Sequence, residues 1–244
     1  MDTRYPNGLN KNLKYMAHVD GLIKNVIASI QPSQRSEIRR LRIVDFIQKI
    51  IKETLGGEAL LCGSFAQKTY LPDGDIDLSL IKCVENPAVI METWVMKLNQ
   101  AICSLAIQQM QMGNKAEFSI RNLQFINSQV RVLKCTIDNV AVDITYRQAG
   151  SMAVSLLMES ADRHFGKDHL FKKSVLLVKA WCVHESPKYN GQVVLGSNHF
   201  ALSTYAVNIM ILAVLNGPSG AHITTPFQSL IGFFETFGNF DWTG

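Results

Sequence analysis

Residues 61–81, LCGSFAQKTYLPDGDIDLSLI, decide how this chain reads. The stretch opens on the end of a short apolar run, Ala59-Leu60-Leu61-Cys62, which reads as a buried strand. Gly63-Ser64 break it, a short loop or helix follows, and Asp75-x-Asp77 opens the next strand, alternating from Ile76 to Ile81. Residues two apart on a strand point to the same face, so Asp75 and Asp77 present two carboxylates side by side. Carboxylates held that close raise one pKa unless a cation neutralises them. A hard divalent cation with oxygen ligands, Mg²⁺ foremost or Mn²⁺, suits such a pair and bridges to substrate phosphates. Gly63 lets the backbone approach a phosphate, and Ser64 adds a hydroxyl and an N–H where the turn begins.

Taken alone, Pro72-Asp73-Gly74-Asp75 is an ordinary polar turn. The spaced pattern Gly-Ser-x10-Asp-x-Asp is rarer, arising by chance in about one in several hundred chains of this length. Asp143 adds to it. An acid between Val142 and Ile144 in a buried-looking strand is costly unless paired or metal-bound. Beside Asp75 and Asp77 it completes a site for two metal ions, one acidifying an attacking hydroxyl and one holding a triphosphate.

Outward from this stretch, residues 16–30 have helical apolar spacing and stop at Pro32. A stronger helix follows, capped by Ser33 or Ser36, with Ile38, Leu41, Val44, Ile47, Ile51 and Leu55 on one stripe and Gly56-Gly57 at its end. Its charges, Arg35, Arg39, Arg40, Arg42, Lys49 and Lys52, read as a solvated face. An RNA-phosphate track is the sharper alternative. Pro87 starts a helix to about Gln109, carrying Val89, Ile90, Trp94, Leu98, Ile102, Leu105 and Ala106 on one side. Residues 117–126, 129–137 and 140–146 read as strands, the last two joined by a turn at Asp138-Asn139. From Gly150 the chain reads as helices over 152–163, 169–185, 200–216 and 226–238, broken at Pro187, Gly191, Gly196 and Gly217-Pro218. The expected fold is α+β, a short mixed sheet with helices on one face followed by an all-helical second domain. The expected domains are 31–147, and 148–244 together with the N-terminal helix 1–30.

Of the 244 residues, 47% are hydrophobic and 18% charged, which supports a buried core and excludes disorder as the default. No apolar run reaches the roughly 20 residues of a membrane helix, and MDTRYPNGLNKN has no signal-peptide core. An intracellular protein, nuclear or cytoplasmic, with no membrane partner is expected. Cys62, Cys83, Cys103, Cys135 and Cys182 show no CxxC spacing and read as buried reduced thiols. The net charge of +4 permits a polyanionic partner without demanding one.

Together, GSFAQKTYLPDGDIDL and VAVDITY resemble the catalytic signature of the poly(A) and terminal uridylyl transferases of the polymerase-β superfamily, closest to a plant and protist branch. KAWCVHES, LSTYAVNIMIL and FETFGNFDW have counterparts in the same order, so the likeness covers roughly residues 35–242. It implies a palm domain plus a helical domain, and template-independent transfer of nucleotides from ATP or UTP to an RNA 3′ end with two Mg²⁺ or Mn²⁺ ions. It implies Asp75, Asp77 and Asp143 as metal ligands, and Gly63 and Ser64 as the triphosphate-contacting pair. Lys179 matches a triphosphate-contacting lysine; by itself it reads as snorkelling to solvent as readily as not. Ser203, Thr204 and Tyr205 match a hydroxyl–tyrosine element that binds phosphate and base, although Tyr205 read alone is a core residue.

The chain departs from that pattern at several positions. Val183 replaces a second lysine, leaving Lys188 or a basic group on the loop to meet phosphate charge, and Val154 replaces a sugar-binding polar residue, leaving Ser151 and Ser155 nearby. Arg147 stands where asparagine is common, Phe200 where glycine is, and FGNFDWTG ends where family members continue. Two other readings remain on the same fold. One is transfer to a small-molecule or nucleotide acceptor. The other is a catalytically silent scaffold that binds RNA or NTP.

Overall fold

The computed structural model describes residues 7–84, 86–113, 117–186, 194–196, 201–238 and 240–241. The chain divides into two compact units, Pro32–Met158 and a second made of Met1–Gln31 with Glu159–Gly244. Each is built around its own core.

The first unit begins with α2 (Gln34–Leu55), which follows α1 (Asn7–Ile30) of the second unit. Ser33 caps α2, its side chain accepting from Ser36 N–H at 3.2 Å. Gly56 ends the helix in the left-handed conformation at φ 56°, with its N–H donating to Lys52 O. Then come β1 (Glu58–Cys62), a single turn α3 (Gly63–Ala66), β2 (Ile76–Lys82), α4 (Pro87–Met112), β3 (Ile120–Ile126), β4 (Val132–Ile137) and β5 (Val140–Tyr146). The five strands form one mixed sheet in the order β1-β2-β5-β4-β3, with β2 and β5 parallel and the other neighbours antiparallel.

The period of two splits each strand between faces. Ile76, Leu78 and Leu80 of β2, Val142 and Ile144 of β5, and Leu133, Cys135 and Ile137 of β4 join a core with Ile43, Ile47 and Ile51 of α2 and Trp94, Leu98 and Ile102 of α4. Both helices therefore cover one face, as the apolar spacing predicts. The other face carries Asp77, Ser79, Asp143, Thr145 and Lys134, which alternate with those core residues. β2 and β5 have polar residues on this face even though they lie inside the sheet.

The helical periodicity is read correctly for most of α2 and misread at its start. Ile38 and Leu41 are exposed, and Arg40, only 4% exposed, takes the core side three residues before Ile43. Its charge groups Arg40 with its neighbours on the solvated face, but its spacing to Ile43 and Val44 places it on the buried stripe. Val89 of α4 is also exposed, because the buried stripe starts one residue later at Ile90. α1 and α4 run longer than expected, from Asn7 and to Met112. β3 and β4 are shorter, starting at Ile120 and Val132.

The second unit contains α1, the end of α5 (Ala149–Phe165), α6 (Leu170–Glu185), α7 (Thr204–Asn216) and α8 (Pro226–Gly238). The unit boundary falls within α5, between Met158 and Glu159. Phe171, Val175 and Val178 of α6, Val207 and Ile211 of α7 and Phe233 of α8 are buried. Phe233 also meets Trp181, Phe234 and Phe237, with Trp181 and Phe234 in edge contact at 4.7 Å. Pro187, Lys188, Gly191 and Phe200 lie outside the described residues. No described helix is long and apolar enough to cross a membrane.

Candidate active site

β2 and β5 bring the acids together. Their parallel register sets Asp77 directly beside Asp143, on the sheet face away from the helices. Asp75 precedes β2 by one residue, and one oxygen from each of the three carboxylates lies within 4.8 Å of the others. Burial lifts the Asp143 carboxyl above its ordinary value, and Asp75 adds to the rise while Lys134 opposes it. The all-oxygen donor set fits a hard divalent cation. The crowding of negative charge is also visible in its local answer, since the Lys134 ammonium donates to Asp143 Oδ2.

Lys134 is a site residue that the motif reading missed. A signal for it was present. Lys134 and Asp143 are equidistant from the Asp138-Asn139 turn, so the β4–β5 hairpin must pair them, as it does. Asp138 and Asn139 both adopt positive φ, at 49° and 63°, as a tight two-residue connection requires.

Gly63 joins the group as the first residue of α3, directly after β1. Its φ is +69°, and a Cβ built on it would lie 2.8 Å from Asp77 Cγ, with the carboxylate oxygen closer still. A side chain here is therefore strained by the backbone and must displace the Asp77 carboxylate. Ser64 follows in α3, half-buried, and its carbonyl accepts from Thr69 N–H at 2.9 Å. On β1, Cys62 pairs with Asp77; burial, with Asp77 adding to it, pushes its thiol up to about 12.

Ser155 is half-buried on α5, where its hydroxyl donates to Ser151 O at 3.0 Å and accepts from Gln67 Nε2 at 3.4 Å. Arg147 has φ 52°, a left-handed backbone in which asparagine is enriched, and its N–H donates to Leu80 O at 2.8 Å.

The remaining expected residues belong to the second unit. Lys179 on α6 is 4% exposed, so it does not snorkel to solvent. Ser203 caps α7, its hydroxyl accepting from Ala206 N–H at 3.0 Å. Tyr205 is 54% exposed and stands outside the core, contrary to what its apolar helix suggests. Val207, Ile211 and Val214 take the buried side of α7 instead. The basic group on α2 divides: Arg35, Arg39, Arg42, Lys49 and Lys52 are exposed and Arg40 is not. The five cysteines are free, but only Cys62, Cys135 and Cys182 are buried; Cys83 is half-buried and Cys103 exposed.

Residues 19–160 match the family described as poly(A) RNA polymerase, mitochondrial-like, central palm domain. Residues 165–244 match the PAP/OAS1 substrate-binding domain. No curated protein sequence matches. Among solved structures, a mutant Cid1 poly(U) polymerase bound to MgATP is similar at TM-score 0.69 and 17% identity, covering 92% of this chain and 75% of its own. A cytoplasmic RNA terminal U-transferase is similar at TM-score 0.64 and 18% identity, covering 92% and 72%. A structure of Cid1 described by its structural plasticity is similar at TM-score 0.62 and 19% identity; this chain spans 53% of its length. The family match takes in more than half of the sequence and the fold agrees with it, so the chain belongs to the mitochondrial-like poly(A) RNA polymerase palm family, within the polymerase-β-type RNA terminal nucleotidyltransferases.

Proposed function

We propose that the chain is the catalytic part of an enzyme that transfers a nucleotide from an NTP to the 3′-hydroxyl of an RNA. A bond forms between the 3′ oxygen and the α-phosphorus, the α–β phosphoanhydride breaks, and pyrophosphate leaves. The observation that carries this reading is the convergence within 4.8 Å of Asp77 and Asp143, on adjacent parallel strands, with Asp75 from the loop entering β2, beside a glycine whose Cβ would collide with the Asp77 carboxylate.

In this reading Asp75, Asp77 and Asp143 hold two Mg²⁺ or Mn²⁺ ions. When bound, such ions acidify the attacking hydroxyl and neutralise charge on the transferring phosphoryl and leaving pyrophosphate. The chain's own residues do the positioning, which is the larger part of phosphoryl-transfer catalysis. Gly63 and Ser64 offer backbone N–H groups and a hydroxyl to the triphosphate. Asp143 lies beside the 3′-hydroxyl's place as ligand or nearby base, receiving its proton in the latter role, with Lys134 remaining on Oδ2. Lys179, Ser203 and Thr204 contact phosphates, and the exposed ring of Tyr205 is available for a base to stack on. The Cid1 structures bound to MgATP and to a UTP analogue lend support to a nucleotide substrate. The Cid1 complex with the product ApU supports an RNA acceptor.

The test is extension of a labelled single-stranded RNA with Mg²⁺ or Mn²⁺ and each NTP in turn. Wild-type tailing that disappears in Asp143→Asn is expected, and the productive NTP names the base preference. Extension that survives both Asp143→Asn and Asp75→Asn would sink the mechanism. Transfer to free nucleotides or small amines, with none to RNA, would replace the acceptor.

A further inference from the structure

Asp77 and Asp143 sit on strands, where neighbouring strands fix their direction. Asp75 does not. It ends the connection between α3 and β2, and a ligand on a loop keeps its aim only if that loop's backbone is tied down. The tie comes from α2. Arg40 Nη2 donates to Gly74 O at 2.8 Å and to Pro72 O at 3.2 Å, the two carbonyls flanking Asp73 and leading into Asp75. Its Nη1 donates to Ser36 Oγ at 2.6 Å, one helical turn back. The guanidinium lies 4.5 Å from the centre of the Tyr70 ring, whose hydroxyl reaches the same Ser36 Oγ at 3.4 Å.

The rest of the loop is tight enough to transmit this hold. Gly74 N–H closes a turn onto Leu71 O at 2.8 Å. A Cβ on Gly74 would lie 2.8 Å from Tyr70 Cβ and 3.0 Å from Leu71 O, so the turn has little room to shift. At its other end Lys68 pairs with Glu37 of α2 at 2.6 Å. Arg40 is 4% exposed, and burial pulls its guanidinium below the ordinary arginine value. An arginine buried to hold two main-chain carbonyls uses its planar fork, which a lysine does not reproduce.

We propose that Arg40 is a positioning residue of the metal site: by holding the Pro72 and Gly74 carbonyls it fixes the direction of Asp75 and thereby sets how tightly the three acids bind a divalent ion. The inference rests on the nucleotidyl-transfer reading of those acids. It departs from the view of the α2 basic residues as a solvated face or RNA track.

The experiment compares the full chain with Arg40→Gln, Arg40→Lys and an Asp75→Asn, Asp77→Asn double variant, titrating Mn²⁺ by the electron-spin signal of the free ion. Amide exchange over 70–77 and melting are followed in parallel. Arg40→Gln is expected to fold, to bind Mn²⁺ roughly tenfold more weakly, and to exchange faster in the 70–77 segment. The Mg²⁺ concentration for half-maximal extension should rise by a similar factor, with the rate recovering at saturating Mg²⁺. A merely structural arginine would lower melting and leave the metal requirement alone. Arg40→Lys, which keeps the charge without the fork, should show the same direction and carries the test if the glutamine variant does not fold. Unchanged Mn²⁺ affinity in the folded variants overturns the positioning role alone. A wild-type chain that takes up no Mn²⁺, or a double variant that binds as well as wild type, overturns the metal reading and this role with it.

Discussion

Gly63 and Asp77 share a space that has no room for one more carbon: a Cβ on the glycine would stand 2.8 Å from the Asp77 Cγ. Gly63→Ala should therefore act twice. The left-handed backbone at φ +69° costs about 1–2 kcal/mol for alanine, and the methyl group must push the Asp77 carboxylate aside. Misplacement on the scale of an ångström lowers catalysis roughly 100-fold. Gly113→Ala is the control, because Gly113 has φ +57° and open space around its Cβ position. Both variants should melt lower, and only Gly63→Ala should lose RNA extension.

Lys134→Met should make the metal-free chain sensitive to pH. Burial raises the Asp143 carboxyl and Lys134 opposes the rise, so removing the ammonium lifts it further. A raised carboxyl contributes stability that is fully present below the ordinary carboxylate value and lost as pH climbs through its folded value. The Lys134→Met chain should therefore lose more melting temperature than wild type between about pH 4 and neutrality. At neutral pH, Mn²⁺ should raise its melting temperature by more than it raises that of wild type, since the ion restores a missing positive charge. Equal shifts in the two proteins would show that Lys134 does not balance the site.

In the second unit, Phe233→Ala removes the aromatic ring that Trp181, Phe234 and Phe237 surround. The loss of a buried phenylalanine costs about 3–5 kcal/mol. Denaturant unfolding followed by the fluorescence of Trp181, read against a Trp94→Phe, Trp242→Phe background, should show it.

The thiols should separate by burial. Cys103 is exposed and should take an alkylating reagent first, whereas burial pushes Cys62 and Cys135 up to about 12 and Cys182 up to about 11. The raised values contribute stability present below about pH 9 and lost as pH rises beyond it, because the unfolded chain ionises first. Melting should fall above that pH, and Cys135→Ala should flatten the fall. Rapid labelling of Cys135 in the native chain would contradict its burial.

The acids, the hairpin and the core-facing stripes were legible because each depends on a short period or a tight turn. VAVDITY is bounded as expected, and its turn at Asp138-Asn139 even encodes the Lys134–Asp143 pair. Arg40 was not legible as a loop anchor. Its partners are backbone carbonyls more than 30 residues away, and main-chain acceptors leave no trace in side-chain spelling. Tyr205, which read alone is a core residue, is exposed, and Lys179, whose own reading leaves burial and snorkelling equally open, is buried, for a related reason. Hydropathy states what a helix can bury, while the neighbours decide which side of it meets them.

The parallel seam between β2 and β5 has a consequence for how the molecule comes into being. β1 with β2, and β3 through β5, are antiparallel neighbours that can associate over short stretches of chain. Asp77 and Asp143 meet only when β5 docks beside β2, across a separation in sequence that makes the closing contact entropically slow. A ribosome-bound chain that has not yet released Tyr146 thus holds two of the acids and lacks the third. The three-acid cluster is incomplete until the palm sheet is closed, and a one-residue slip at that seam would turn Asp143 into the apolar core.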